Sequence, residues 1–107
     1  MTDPVRPDQI DAIIHERVRL AIVSALAVSA EMTFNELKDT LKLSDGNLSA
    51  HAQKLEEAGY LRILKSFQGR RPLTRMRLTR KGRRAFDRYL DTLKRIVEHG
   101  DTDAPTR

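Results

Sequence analysis

The sequence predicts a mainly α-helical fold with a small β-hairpin, an α+β domain with the element order α-α-α-β-β-α. Three observations lead to this class. Apolar residues recur at helical spacing up to residue 58, the spacing changes to two after Gly59, and the helical period returns after Thr79. A short extra strand is also predicted near Glu31–Thr33, where it completes a small sheet.

The first helix is predicted to follow a flexible arm. Residues 1–7 contain two prolines and show no periodicity. We predict a helix that is capped near Asp8 and runs to about Ser29, with a break near His15 left open. Its apolar stripe is long for a small domain and comprises Ile10, Ile13, Ile14, Val18, Ala21, Ile22, Ala25 and Leu26.

The next two helices are predicted to form a helix-turn-helix over about residues 33–59. Thr33 and Glu36 have the spacing of a capping box, which satisfies exposed backbone donors at a helix start. Ser44 is the predicted N-cap of the second helix, and Gly59 supplies the positive φ at which helices often end. Inward-facing apolar residues on the two helices are Phe34, Leu37 and Leu41, then Leu48, Ala52 and Leu55.

A hairpin over about residues 60–79 and a last helix complete the predicted domain. Strand-forming residues flank a turn from Gln68 to Thr74, whose arginines give the hairpin a basic tip. Thr79 is the predicted N-cap of a helix over residues 80–99. The polar tail, residues 100–107, is predicted to be disordered, so residues 8–99 form one domain. The apolar stripe of the last helix comprises Phe86, Tyr89, Leu90, Leu93, Ile96 and Val97.

Charge is distributed unevenly along the 107 residues. The net charge is +5, but Arg62–Arg95 has thirteen Lys and Arg against two acidic residues, a net +11, and the remainder has −6. One basic surface favours a polyanionic partner, most simply nucleic acid, with a membrane surface as the weaker alternative. The chain has no cysteine, which excludes disulfides and thiolate metal sites. No apolar run reaches the length of a membrane span, and we expect a soluble, cytoplasmic protein without a cofactor.

The outward face of the helix that follows Ser44 is the first candidate for reading DNA. When Leu48 and Leu55 turn inward, the helical period places a short polar surface on the other side. Amide and hydroxyl groups there can bond to base edges, and small residues allow close approach to a duplex. An ordinary surface helix is an equally weighted alternative. The outward surface comprises Gly46, Ala50 and Gln53, flanked by Asn47, Ser49 and Lys54.

Three blocks of the sequence together resemble winged helix-turn-helix regulators of the MarR and ArsR type. His15–Leu26 is similar to their first-helix segment, Leu43–Leu61 to the recognition helix with its glycine turn, and Gly69–Phe86 to the wing and following helix cap. The similarity covers about residues 10–95. It implies a small, stand-alone transcriptional regulator that carries a winged-helix DNA-binding domain.

The resemblance also implies which side chains meet DNA. It directs four residues of the recognition helix towards the major groove, namely Asn47, Ser49, Ala50 and Lys54. It directs Arg70 and Arg71, at the wing tip, towards phosphates or the minor groove. Ala50 departs from the family pattern, because a longer polar or basic side chain is often found there, and this weakens direct base readout. Arg75 is expected to flank the duplex backbone together with Arg77 and Arg80.

Sequence-specific binding to double-stranded DNA is therefore the expected function. A homodimer through the first and last helices is expected, because helix-turn-helix proteins commonly read paired half-sites; packing of these helices on each other is the alternative. The alternative function is a winged-helix module whose basic face binds an acidic protein. An enzyme is not expected, since no Ser/His/Asp set or phosphate loop is visible. We expect His51 to bond to the backbone rather than a metal, and any small-molecule effector is left undetermined.

Overall fold

A computed structural model describes residues 3–103, with side chains to residue 100. The predicted α+β class and element order are confirmed. After a short 3-10 helix at Pro7–Gln9, the elements are α1 (Arg17–Val28), β1 (Met32–Thr33), α2 (Phe34–Leu41), α3 (Asp45–Glu57), β2 (Leu61–Gln68), β3 (Arg71–Leu78) and α4 (Arg80–Asp103).

The three strands form one antiparallel sheet in the order β1-β3-β2. β2 and β3 pair along their whole length, from Leu61 opposite Leu78 to Gln68 opposite Arg71. β1 adds only two pairs, Met32 with Met76 and Thr33 with Arg75. The predicted short strand is thus present, and it ties the start of the helix-turn-helix to the hairpin.

The core lies where α1, α2 and α3 meet one face of the sheet and the first half of α4. Each fully buried aliphatic side chain contributes roughly 1.5–3 kcal/mol to stability, so this cluster fixes the orientation of the helices. The largest fully buried side chains are Ile14, Ile22, Val23, Leu26, Leu37, Leu48, Leu55 and Met76.

The predicted start of the first helix near Asp8 is wrong. The Asp11 carboxylate accepts hydrogen bonds from the backbone N–H groups of Ile13 and Ile14, which holds a turn in place of a helix. α1 begins only at Arg17, where the Glu16 side chain caps the N–H groups of Val18 and Arg19. The hydrogen bonds to the Asp11 carboxylate therefore favour a turn here, although the spacing of the apolar residues favours a helix.

Two further boundaries differ from the prediction. The hairpin turn has only two central residues, Gly69 and Arg70, because strand pairing continues to the ends of β2 and β3. α4 continues through Gly100 to Asp103, so the predicted disorder of residues 100–103 is wrong. One glycine costs a helix about 1 kcal/mol, which does not end it. Residues 1–2 of the predicted arm and 104–107 of the predicted tail lie outside the described residues.

Candidate nucleic-acid interface

The start of α3 is held by a cap and an ion pair. The Ser44 hydroxyl accepts a hydrogen bond from the Asn47 N–H at 3.1 Å, which confirms the predicted N-cap. Lys42 ends α2 with a left-handed φ of 55°. Lys38 on α2 forms a salt bridge with Asp45 on α3 at 3.0 Å. The hydrogen bond to the Asp45 carboxylate and the negative charge of that group raise the pKa of Lys38. The link between the helices is therefore short and geometrically defined.

The two faces of α3 divide as the periodicity predicts. Leu48, Ala52 and Leu55 have no exposed surface and seat the helix in the core. The outward face is exposed along its length. It brings together the four predicted contact residues Asn47, Ser49, Ala50 and Lys54.

A polar cluster anchors the middle of α3 to the start of α1. His51 lies 3.1 Å from Arg19 and 3.6 Å from Glu16, so the expected backbone bond of His51 is wrong. Burial raises the pKa of Glu16, but N–H bonds from Arg19 and Val18, together with the charge of His51 and Arg19, outweigh burial and lower it. The cluster fixes the rotation of α3 about its axis.

The base of the hairpin is fastened to both neighbouring helices. Gly59, just after the C-terminal end of α3, has a positive φ of 82°, as predicted. The Thr79 hydroxyl donates to the Gly59 carbonyl at 2.6 Å and accepts from the Gly82 N–H at 3.0 Å, which confirms Thr79 as a cap. The Tyr60 carbonyl accepts the Thr79 N–H at 3.1 Å, and a Cβ at Gly82 would overlap this carbonyl. The position of the hairpin relative to α3 is thus fixed by the Thr79 hydroxyl and by close backbone contact at Tyr60 and Gly82.

Tyr60 also ties the N-terminal turn to this junction. Its hydroxyl donates to the Asp11 carboxylate at 2.6 Å, and burial together with this bond raises the pKa of Tyr60 to about 12. The hydroxyl of the buried Tyr89 on α4 lies 2.8 Å from Nδ1 of His15. The segment before α1 therefore supports the hairpin base, a role that periodicity alone does not reveal.

The tip of the hairpin projects from the body of the domain. Every residue from Lys65 to Pro72 is exposed, including Arg70 and Arg71. Among the side chains described, residues 3–100, no acidic group forms an ion pair with either arginine. Phe67 is not among the predicted contact residues, yet it is 72% exposed at the same tip. The signal for it was an aromatic residue two positions before the turn glycine.

The other basic residues differ in their surroundings. Arg75 lies 3.4 Å from Glu31, so part of its charge is neutralised within the protein. Arg83 donates to the Ala27 carbonyl at the C-terminus of α1, where the helix dipole favours a cation. Lys81 lies 5.8 Å from the Tyr60 ring. Two of the cations at the start of α4 thus have partners within the protein.

A groove of about 450 Å³ separates α3 from the hairpin sheet. Its helical side includes Ser49, Gln53 and Glu56, and its sheet side includes Ile63 and Lys65. The described side chains, up to residue 100, contain no cluster of acidic and histidine groups suited to a metal ion. None of the helices within residues 3–103 combines the length and apolarity needed to cross a bilayer.

Comparisons with known proteins agree with this geometry. Residues 18–97 match a family model described as a winged helix DNA-binding domain. An uncharacterized protein from Methanocaldococcus jannaschii is 41% identical over 78 residues, which cover 73% of this chain and 85% of the relative.

Solved structures give the same result. The structure of a transcriptional regulator homologue from Pyrococcus horikoshii superposes with a TM-score of 0.79 at 30% identity, covering 83% of this chain and 88% of that one. The PcaV transcriptional regulator from Streptomyces coelicolor, solved with its natural ligand, has a TM-score of 0.69 at 18% identity, covering 94% and 68%. At that lower identity the likeness concerns the fold alone.

Proposed function

The chain belongs to the winged helix DNA-binding domain family, and we propose that it acts in the cytoplasm as a sequence-specific transcriptional regulator. One observation carries the proposal. The buried stripe of α3 turns Asn47 and its neighbours outward, while the projecting hairpin carries two arginines without ion-pair partners in the described chain. A polar helix face beside a basic arm suits a duplex, whose phosphates supply most of the binding energy.

In this proposal α3 lies in the major groove. An α-helix with its side chains is about 10–12 Å across and the groove is about 12 Å wide, so one helix fits. Asn47 is suited to the adenine edge, where its amide both donates and accepts. Ser49 and Ala50 are small and let the helix backbone approach the bases. Lys54, one turn further along, contacts a phosphate.

The hairpin supplies the second contact. Arg70 and Arg71 reach the backbone or the minor groove beside the bound major groove, where a narrow A·T-rich groove attracts arginine. Arg75 contributes less in this proposal, because its ion pair with Glu31 must weaken before it serves a phosphate. Specificity then comes jointly from Asn47 and from the shape of the groove.

A homodimer is also part of the proposal. The stripe of α1 is largely used by the core, with Ile22, Val23 and Leu26 buried, so the interface is assigned to α4. In the second half of α4, Ile96 is 42% exposed and Val97 is 60% exposed. Two copies joined there present two recognition helices, as paired half-sites require.

Selection from a pool of random duplexes tests the reading role of Asn47. We expect Asn47→Ala to relax the preference at one base position by about 1–3 kcal/mol, the usual contribution of a bidentate contact. Asn35→Ala, an exposed asparagine on α2, is the matched control and keeps the wild-type preference. Identical selected sequences for the Asn47 variant and the wild type would contradict the assignment.

A further inference from the structure

The tip of the hairpin carries an apolar pair among its charges. Phe67 on β2 lies directly opposite Pro72 on β3. Phe67 is 72% exposed, and Pro72 is also exposed. A large aromatic side chain held in water at a projecting tip is unfavourable for the isolated domain, since burying it elsewhere would be stabilising. The pair therefore offers an apolar surface that a partner can bury.

The fold explains how proline fits at this position. Gly69 takes a φ of 66° in the two-residue turn, and Gln68 and Arg71 form the pair that closes it. The next pair, Phe67 and Pro72, is then a non-hydrogen-bonded one, in which side chains lie closer and no N–H is needed. β1 pairs with β3 only further along, so Pro72 interrupts no hydrogen bond on that side either. The hairpin keeps its register with an apolar tip.

The pair lies on the side of the sheet that faces α3. Side chains alternate along a strand, so Phe67 shares its face with Lys65 and Ile63. Both of those residues line the groove beside α3. Phe67 and Pro72 continue this face outward, beyond the edge of α3. Because Phe67 and Pro72 extend the protein surface beside α3, they are placed to contact the duplex that α3 binds.

The surrounding charge selects a polyanion. No acidic residue occurs between positions 58 and 86, a stretch that includes the whole hairpin. Arg70 in the turn and Arg71 at the start of β3 lie between Phe67 and Pro72 in the sequence. The minor groove combines a negative potential with walls of deoxyribose, which are apolar, and its width of about 6 Å admits single side chains. Proteins that enter this groove frequently insert apolar residues beside arginine.

We propose that Phe67, supported by Pro72, enters the DNA minor groove as an apolar wedge while Arg70 and Arg71 bind its edges. The inference rests on the proposed DNA-binding function and adds to it a contact that does not depend on charge. The wedge adds affinity without neutralising a phosphate. It also favours base pairs that leave the floor of the minor groove open.

Three alternating duplexes of equal length, A·T, I·C and G·C, test the wedge by fluorescence anisotropy. Only guanine places an amino group in the minor groove, whereas inosine lacks it. We expect wild-type protein to prefer A·T and I·C over G·C. Phe67→Ala should weaken binding to A·T and I·C by about ten-fold, the loss expected when a large apolar side chain leaves a contact. Binding to G·C should change little, and the salt slope should stay as in the wild type.

Two control variants accompany the test. Phe67→Leu keeps an apolar side chain and should retain most of the affinity. Val28→Ala removes apolar surface at an 89% exposed site on α1 and should change nothing. An unchanged thermal midpoint shows that Phe67→Ala still folds.

The outcomes separate the wedge from the underlying function. If the wild-type protein binds none of the duplexes, the proposed DNA-binding function fails. If Phe67→Ala binds every duplex like the wild type, or lowers the salt slope, only the wedge fails. If Phe67→Ala sediments differently from the wild type, Phe67 takes part in a contact between proteins. If Phe67→Ala lowers binding to anionic phospholipid vesicles but leaves duplex binding unaltered, Phe67 binds a membrane surface. Either result would overturn the proposal.

Discussion

Replacing Gly82 by alanine tests whether the hairpin is fixed to α4 by direct backbone contact. Gly82 lies in the first turn of α4, and a Cβ there would overlap the carbonyl oxygen of Tyr60. That oxygen already accepts the Thr79 N–H at 3.1 Å. Because the obstructing atoms are backbone, no side-chain rotation relieves the overlap. The start of β2 must move away from α4.

The expected loss of stability is about 2 kcal/mol. Overpacking typically costs about 1–3 kcal/mol, and a rigid backbone neighbour indicates the upper end. Alanine improves helix propensity over glycine by about 1 kcal/mol, which offsets part of that loss. For a domain of this size the net change lowers Tm by roughly 10 °C.

Thermal unfolding followed by circular dichroism measures this change. Gly46→Ala is the matched control, because Gly46 also lies in a helix and an added Cβ there meets nothing within 4 Å. We expect Gly46→Ala to be neutral or slightly stabilising. If Gly82→Ala also raised Tm, the close contact between α4 and the hairpin base would be refuted.

Two further predictions concern acid stability and assembly. Since the pKa of Glu16 lies below its ordinary value of 4.5, its charged form stabilises the fold above that pH, and this contribution is lost as pH falls through the folded-state pKa. Glu16→Gln should therefore show a smaller loss of unfolding free energy between pH 7 and pH 3, measured by urea denaturation. Val97→Glu should convert a dimer into a monomer of 12.2 kDa in sedimentation at micromolar concentration.

Both predictions have clear contrary results. An identical pH dependence for Glu16→Gln and the wild type would remove Glu16 from the acid response. Val28→Glu is the control for assembly, because Val28 is a valine on α1 that is even more exposed than Val97, and its variant should remain dimeric. A wild-type protein that sediments as a monomer would contradict the dimer.

Much of the fold could be predicted because local signals and burial agree. Thr33, Ser44 and Thr79 each cap the helix that the sequence assigns to them. The period of α3 places Leu48 and Leu55 inside, which fixes its outward face. In these places the residue that caps a helix is adjacent to the helix in the sequence, so the local sequence is enough to predict the helix start.

The remaining features depend on contacts between distant residues. One oxygen of Asp11 accepts hydrogen bonds from nearby backbone N–H groups, which form a turn where the sequence predicts a helix. The other oxygen accepts a hydrogen bond from Tyr60, 49 residues away. His51 meets Glu16 and Arg19 only after α1 and α3 pack together. The exposure of Phe67 likewise depends on how far the hairpin extends beyond the core. A single sequence contains no local pattern for such relations.

The salt dependence of duplex binding tests the central proposal most directly. The logarithm of the affinity should fall linearly with the logarithm of salt concentration, because bound arginines release counterions. Arg70→Ala with Arg71→Ala should make the slope shallower by about 1.8, roughly 0.9 for each lost phosphate contact. Arg6→Ala with Arg17→Ala removes the same charge elsewhere and should leave the slope unchanged. An equal slope for the Arg70→Ala, Arg71→Ala double variant and the wild type would contradict the proposed interface. If the wild-type protein does not bind duplex DNA at low salt, an acidic protein is the favoured partner instead.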